Sequence, residues 1–222
     1  MPVGCLQSDV VTNFFRYAVR LQAGFDPQLL VECHGALHKT QCLSVSNHGV
    51  WASAKATKGL KIDAEYRAAP ETLPQCRAFR CRSIARPNVL LFHDTGFNQS
   101  GTERQLARFQ AWMAGCEGTR LVILELGAGT EVRTIREMTR TAYLDTAAAV
   151  SRYGGAVDAV RINRLPDDRS ETRRSGGLSL LAHLEMDAAA ALEAVATVLE
   201  RDEDAQQGRS RSRSDAEKPR RV

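Results

Sequence analysis

Three short apolar runs constrain this chain more than any other feature: NVLLF at 88–92, RLVILEL at 120–126 and DAVRIN at 158–163. Each has the length and aliphatic content of a strand covered on both faces. The stretches between them are helix-like. From Glu103 to Met113, Leu106, Phe109 and Met113 fall on one side, and a second stretch runs from Thr141 to Tyr153. Strand, helix, strand, helix predicts an α/β fold around a parallel sheet.

The flanks extend this pattern. VVTNFFRYAVRLQAGF reads as a strand end followed by an amphipathic helix that Gly24 stops. MDAAAALEAVATVLER, with Leu192, Val195, Val198 and Leu199 at helical spacing, predicts an amphipathic closing helix. From Asp202 onward there is no aromatic residue and one aliphatic residue beyond alanine, so ordering entropy is not offset and disorder is expected. Residues 37–85 interrupt the rhythm with three of the six cysteines, two histidines and little periodicity, as an inserted module would. The expected organisation is therefore 1–36, a module at 37–85, 86–200 and a tail at 201–222.

Composition narrows the function classes. No apolar run approaches the roughly 20 residues of a membrane helix, and the opening MPVGCLQSDV lacks signal-peptide character. A soluble intracellular protein, cytoplasmic or nuclear, is expected. The cysteines Cys5, Cys33, Cys42, Cys76, Cys81 and Cys116 then point to metal binding or burial rather than a disulfide framework. The net charge is +4, of which residues 201–222 supply +2 from seven Lys/Arg and five Asp/Glu. That balance argues against a nucleic-acid-binding core. Contact with RNA would run through the phosphorylatable arginine–serine stretch from Arg209 to Ser214.

Four groups of residues could carry chemistry. Gly127, Ala128, Gly129 and Thr130 follow a buried strand directly, where small residues let backbone amides approach a phosphate or ribose. The alternative is a tight turn that needs positive φ. Asn163 ends the next strand, so it emerges at a carboxyl edge, where nucleotides bind in open α/β sheets. Alone it would read as a turn residue. His34, in LLVECHGALHKTQC, sits at a strand end beside Gly35 and could act as a base near neutral pH or be a hydrogen-bonded structural histidine. Cys42, Cys76 and Cys81 could gather around zinc, with His48, His38, Cys33 or solvent as the fourth ligand.

In order, ECHG, a cysteine module, ARPNVLLF, LVILELGAGT, VRIN and an ALEAV helix resemble the sirtuins, NAD-dependent protein deacylases, over roughly residues 20–199. The resemblance implies a partial Rossmann-like parallel sheet with an inserted small zinc-ribbon-like module. NAD and an acyl-lysine peptide would be the ligands, and zinc a structural ion. It assigns His34 as the base toward a ribose hydroxyl. Gly127, Ala128 and Gly129 become the loop at the nicotinamide-side ribose and phosphates, and Asn163 the residue near the adenosine ribose.

This sequence departs from the family pattern at several places. The family begins with a Gly-Ala-Gly-x-Ser loop and an Asp-Phe-Arg segment, which this sequence lacks, and TNFFRYAVRL offers Asn13 without an acid two positions on. A damaged nicotinamide pocket is therefore expected. Phe92, His93 and Asp94 stand where the family has Phe-Gly-Glu for pairing the substrate peptide. Ser46 and Phe79 stand where second knuckle cysteines belong, and Cys81 substitutes for the latter by a local shift. Three readings follow: a deacylase by descent, a catalytically dead sirtuin-like binding or interaction module, and an RNA-associated adaptor acting through its tail.

Overall fold

The computed structural model describes residues 11–13, 25–165 and 182–201. The chain is mixed α/β and divides into two compact units, residues 1–119 and 120–222. Among the described residues no helix is long and apolar enough to cross a membrane.

In the first unit, β1 (Val11–Asn13) pairs in parallel with β2 (Leu30–Glu32). A one-turn helix, Pro27–Leu29, leads into β2. Asp26 caps it by accepting from the Gln28 amide at 2.8 Å, and Pro27 needs no amide partner at that position. The helix expected between β1 and Gly24 lies outside the described residues.

After β2 the chain turns through Cys33 and His34 into β3 (Gly35–Cys42). That strand is the centre of an antiparallel sheet ordered β4 (Val50–Ala52), β3, β5 (Ala85–Val89). Gly35 has φ +76°, and a Cβ there would collide with the Asn88 carbonyl, so only glycine fits this crossing.

The run at 88–92 was expected to be a strand of the parallel sheet, and here the structure corrects the sequence. The strand is Ala85–Val89, it pairs antiparallel with β3, and it ends where the chain turns at Leu91–Asp94. It lies on an edge, which tolerates Pro87 in mid-strand. The burial assumed for its second half is absent, because Leu91 and Phe92 are exposed. Beside the buried Ala85 and Val89, this strand is held by a buried polar side chain, Asn88. The Asn88 side chain donates to Gln41 Oε1 at 2.8 Å and to the Asn98 carbonyl at 2.9 Å, while Gln41 Nε2 donates to the Gly96 carbonyl at 2.6 Å. The Asn88 and Gln41 side-chain amides are thus paired, as the low-dielectric interior requires.

α1 (Ser100–Gly115) contains the predicted helix at 103–113. It docks on β2 through Glu32. Gln105 accepts from the Glu32 amide at 2.8 Å and donates to its carboxylate at 3.1 Å, Thr102 donates to the Glu32 carbonyl, and Lys39 pairs with the carboxylate at 2.9 Å.

The second unit is a parallel sheet ordered β6 (Arg120–Leu126), β7 (Ala156–Asn163), β8 (Ala182–Glu185), with α2 (Thr134–Tyr153) crossing from β6 to β7. The second and third apolar runs are strands as expected, and DAVRIN gains two residues at its start. α2 begins two turns before the predicted Thr141. Its buried positions, Arg136, Thr139, Ala142 and Thr146, have helical spacing, but all except Ala142 are polar, so apolar periodicity misses the helix start.

A further expectation is corrected. β6 is not covered on both faces, since Val122, Leu124 and Leu126 are 59%, 51% and 41% exposed. The closing helix forms at 188–201, here α3, capped by Asp187, whose carboxylate accepts the Ala189 amide at 2.9 Å. It seats itself on Ala191, while Leu192, Val195, Val198 and Leu199 remain exposed. The expected disordered tail lies outside the described residues.

Side by side on β6 and β7, Glu125 and Arg161 form a buried two-pronged ion pair, Nε to Oε1 and Nη2 to Oε2. Converting Arg161 to Met would leave the carboxylate buried without its cation, so unfolding stability should fall by about 3–5 kcal/mol. Adding Glu125→Leu should restore most of the loss. Urea denaturation of the single and double variants measures both, and an Arg161→Met chain as stable as wild type would contradict the account.

Candidate metal centre and sheet-edge loop

Cys42, His48, Cys76 and Cys81 converge in the first unit, with their ligand atoms all within 4.8 Å of one another. They come from three local structures. Cys42 ends β3. His48 closes a one-turn helix, Ser46–His48, that follows it. Cys76 and Cys81 lie on a loop whose base is pinned by the Cys76 amide on the Ser83 carbonyl at 2.8 Å and the Ala85 amide on the Pro74 carbonyl at 2.7 Å. Cys42 and Cys76 are buried, whereas His48 and Cys81 are half-buried.

The spacing suits a tetrahedral ion. With Zn–S about 2.3 Å and Zn–N about 2.0–2.1 Å, tetrahedral edges come to about 3.8 Å for S···S and about 3.6 Å for S···N. The Cys42 Sγ to Cys81 Sγ distance is 3.9 Å, and Cys76 Sγ lies 3.5 Å from His48 Nδ1. Three sulfurs and an imidazole nitrogen are also the donor set that borderline-soft zinc prefers. The cluster could hold a metal ion such as zinc.

Protons must leave these thiols before a metal binds. Cys81 is the readiest, because the Ser83 amide and hydroxyl bring its pKa down to about 6. Burial pushes the Cys76 thiol up, against the opposing Ala78 amide, which lies 3.4 Å from its sulfur.

All three sequence-predicted ligands are therefore brought together, and of the candidates for the fourth position the geometry takes His48. Neither His38 nor Cys33 belongs to the cluster. Phe79 is exposed, and Cys81 belongs to the cluster. None of the described cysteines forms a disulfide.

His34 is buried in the turn joining β2 to β3, and its carbonyl accepts the Leu90 amide at 3.0 Å. Burial lowers its pKa below 6.5, leaving a neutral imidazole at neutral pH. His38, on β3, is lowered chiefly by burial, with Glu32 opposing and Lys39 assisting.

Among Phe92, His93 and Asp94, the residues expected to pair a peptide, His93 has φ +59°, a left-handed conformation that favours glycine. Asp94 braces this turn by accepting from Arg86 at 2.7 Å and from the Gly96 amide at 2.9 Å. These contacts outweigh the effect of burial and hold its carboxyl below 3.8.

In the second unit, Gly127, Ala128, Gly129 and Thr130 form the loop at the carboxyl end of β6, with Gly127 at φ +64° and its amide on the Ile162 carbonyl at 2.8 Å. Nothing lies within 4 Å of the place a Cβ would take at Gly127 or Gly129. The Ala128 carbonyl accepts both Asn163 Nδ2 at 2.9 Å and Arg136 Nε at 3.1 Å. Asn163 Oδ1 accepts the Leu165 amide at 3.3 Å, so this side chain clasps the loop to β7. Arg136 is a member of the site that sequence reasoning missed. Its signal was an arginine nine positions beyond the first glycine, on what proves to be the first turn of a helix.

Neither protein-family models nor curated proteins give a match to this sequence.

Proposed function

We propose that this chain is a sirtuin-like NAD-dependent protein-lysine deacylase domain, with zinc at Cys42, His48, Cys76 and Cys81 as a structural ion. The observation that carries the reading is the metal cluster. The three cysteines that the resemblance assigns to zinc, separated by as many as 39 positions, meet with a fourth donor in the segment between His34 and β5. Random cysteines in a non-metalloprotein have no reason to converge this way.

Two features of the sheet-edge loop add support for a partial Rossmann-like reading. It follows a parallel strand at a carboxyl edge, where nucleotides bind in open α/β sheets, and its glycines open onto free space. Bound NAD would supply the electrophilic ribose and the nicotinamide leaving group. In the first unit a neutral His34 imidazole would be available to take a proton from a hydroxyl, and in the second, taken by itself, the Gly127–Thr130 loop would offer its backbone to a ribose or phosphate.

One observation favours the second reading, a catalytically silent module that binds NAD or ADP-ribose or a protein. Both polar atoms of Asn163, assigned to the adenosine ribose, are committed to Ala128 and Leu165. Equilibrium dialysis with radiolabelled NAD and ADP-ribose tests both readings. Saturable binding of either supports a nucleotide site, and binding of ADP-ribose without NAD turnover selects the silent module. No saturable binding of either to the folded chain overturns both nucleotide readings.

A further inference from the structure

The near-neutral balance of residues 1–200 hides a local concentration of charge. Residues 37–85 hold eight Lys/Arg against three Asp/Glu. Two of those acids, Asp63 and Glu65, are already paired with Arg67. The loop Cys76–Arg82 contains Arg77, Arg80 and Arg82, no acid, and no ion pair to any of the three among the described residues.

The same loop presents an aromatic ring to solvent. Phe79 is 88% exposed, an unusual placement for a large apolar side chain. The Arg80 guanidinium lies 5.0 Å from the centre of that ring, and Arg77 lies 5.8 Å from the Trp51 ring. Arg80 holds φ +61° in a turn closed by the Cys81 amide on the Ala78 carbonyl at 3.0 Å. A non-glycine residue in this region is strained, and such strain collects at working surfaces. The loop is anchored at both ends by Cys76 and Cys81, so its presentation is preorganised.

We propose that the Cys76–Arg82 loop, with Trp51 beside it, binds single-stranded nucleic acid. An exposed ring with the Arg80 guanidinium at one face leaves an unstacked base the other face to lie on, and the three arginines offer planar forks to adjacent phosphates. A duplex keeps its bases stacked inside and could not use Phe79. A membrane surface would want a broader apolar face than one phenylalanine. An acidic peptide would need the arginines but not the ring.

Fluorescence anisotropy of the full chain with a fluorescein-labelled oligouridylate tests this assignment. Wild type should bind, and binding should weaken steeply between about 50 and 200 mM salt. Phe79→Ala should weaken it about ten-fold through lost stacking. Changing Arg77, Arg80 and Arg82 together to Gln should reduce the slope of log affinity against log salt by about two. Because all four side chains are exposed, thermal midpoints should match wild type. The proposal is overturned if wild type does not bind, or if the variants bind as wild type does, which would place the contact in the arginine–serine tail. Tighter binding to duplex RNA or to phosphatidylserine vesicles than to the oligouridylate would also overturn it.

Discussion

A Cys76→Ser chain is expected to purify without metal and with the segment from Cys42 to Ala85 unfolded, whereas wild type should carry one zinc per chain. The expectation follows from the small amount of apolar core available there. Cys42, Cys76 and Ala85 are buried, but Ile62, Tyr66, Phe79 and Ile84 are exposed, and between β4 and β5 the backbone is held by isolated bridges and turns. Structural zinc contributes about 10–16 kcal/mol of apparent binding free energy in small zinc modules, comparable with the whole stability of a domain at about 5–15 kcal/mol. Metal analysis and hydrogen exchange of the amides at 40–42 and 75–85 read the two effects separately. Protection in a metal-free Cys76→Ser chain equal to that of wild type would show that the cluster is not a structural metal site.

Replacing His34 by Ala is expected to reduce nicotinamide release by about 10²–10⁴-fold, the usual contribution of a positioned general base. The pH dependence should carry the signature of burial. Because the folded-state pKa of His34 lies below the ordinary 6.5, the neutral base persists to lower pH, and the acidic limb of kcat should fall below 6.5. Linkage gives the same sign for stability. A histidine lowered on folding contributes stability that is complete above its unfolded pKa and is lost as pH falls through the folded value. His38 is lowered too, so wild type should lose stability below pH 6.5 more steeply than His34→Ala does. Identical acid limbs in the two chains would remove His34 from this account.

How far the sequence could be read depended on whether an element is built from apolar or polar contacts. RLVILEL and DAVRIN are aliphatic strands, and both form the parallel sheet as their pattern predicts. NVLLF has the same appearance, yet its strand starts earlier and pairs elsewhere, because Asn88 is locked to Gln41 and Asn98 by hydrogen bonds that hydrophobic periodicity does not register. α2 escaped at its start for the same reason, with Arg136 and Thr139 on its buried side. The exposed Val195 and Leu199 show the converse, since helical spacing of apolar residues predicts the helix without ensuring that anything covers it.

At the site, Cys42, Cys76 and Cys81 were legible as residue types, but the fourth donor was a question of distance. His48 lies six positions beyond Cys42, and a one-turn helix swings it onto Cys76. Asn163 was correctly placed beside the glycine loop at the end of β7. Its two hydrogen bonds, which tie that loop to the strand, depend on backbone positions that no spacing rule supplies.

Nicotinamide release from NAD, followed with an acetyl-lysine peptide present and absent, decides whether this chain is an NAD-dependent deacylase. The account predicts peptide-dependent release by the zinc-loaded wild-type chain and its collapse in His34→Ala. A folded, zinc-loaded chain that releases no nicotinamide with peptide and NAD in excess would contradict it.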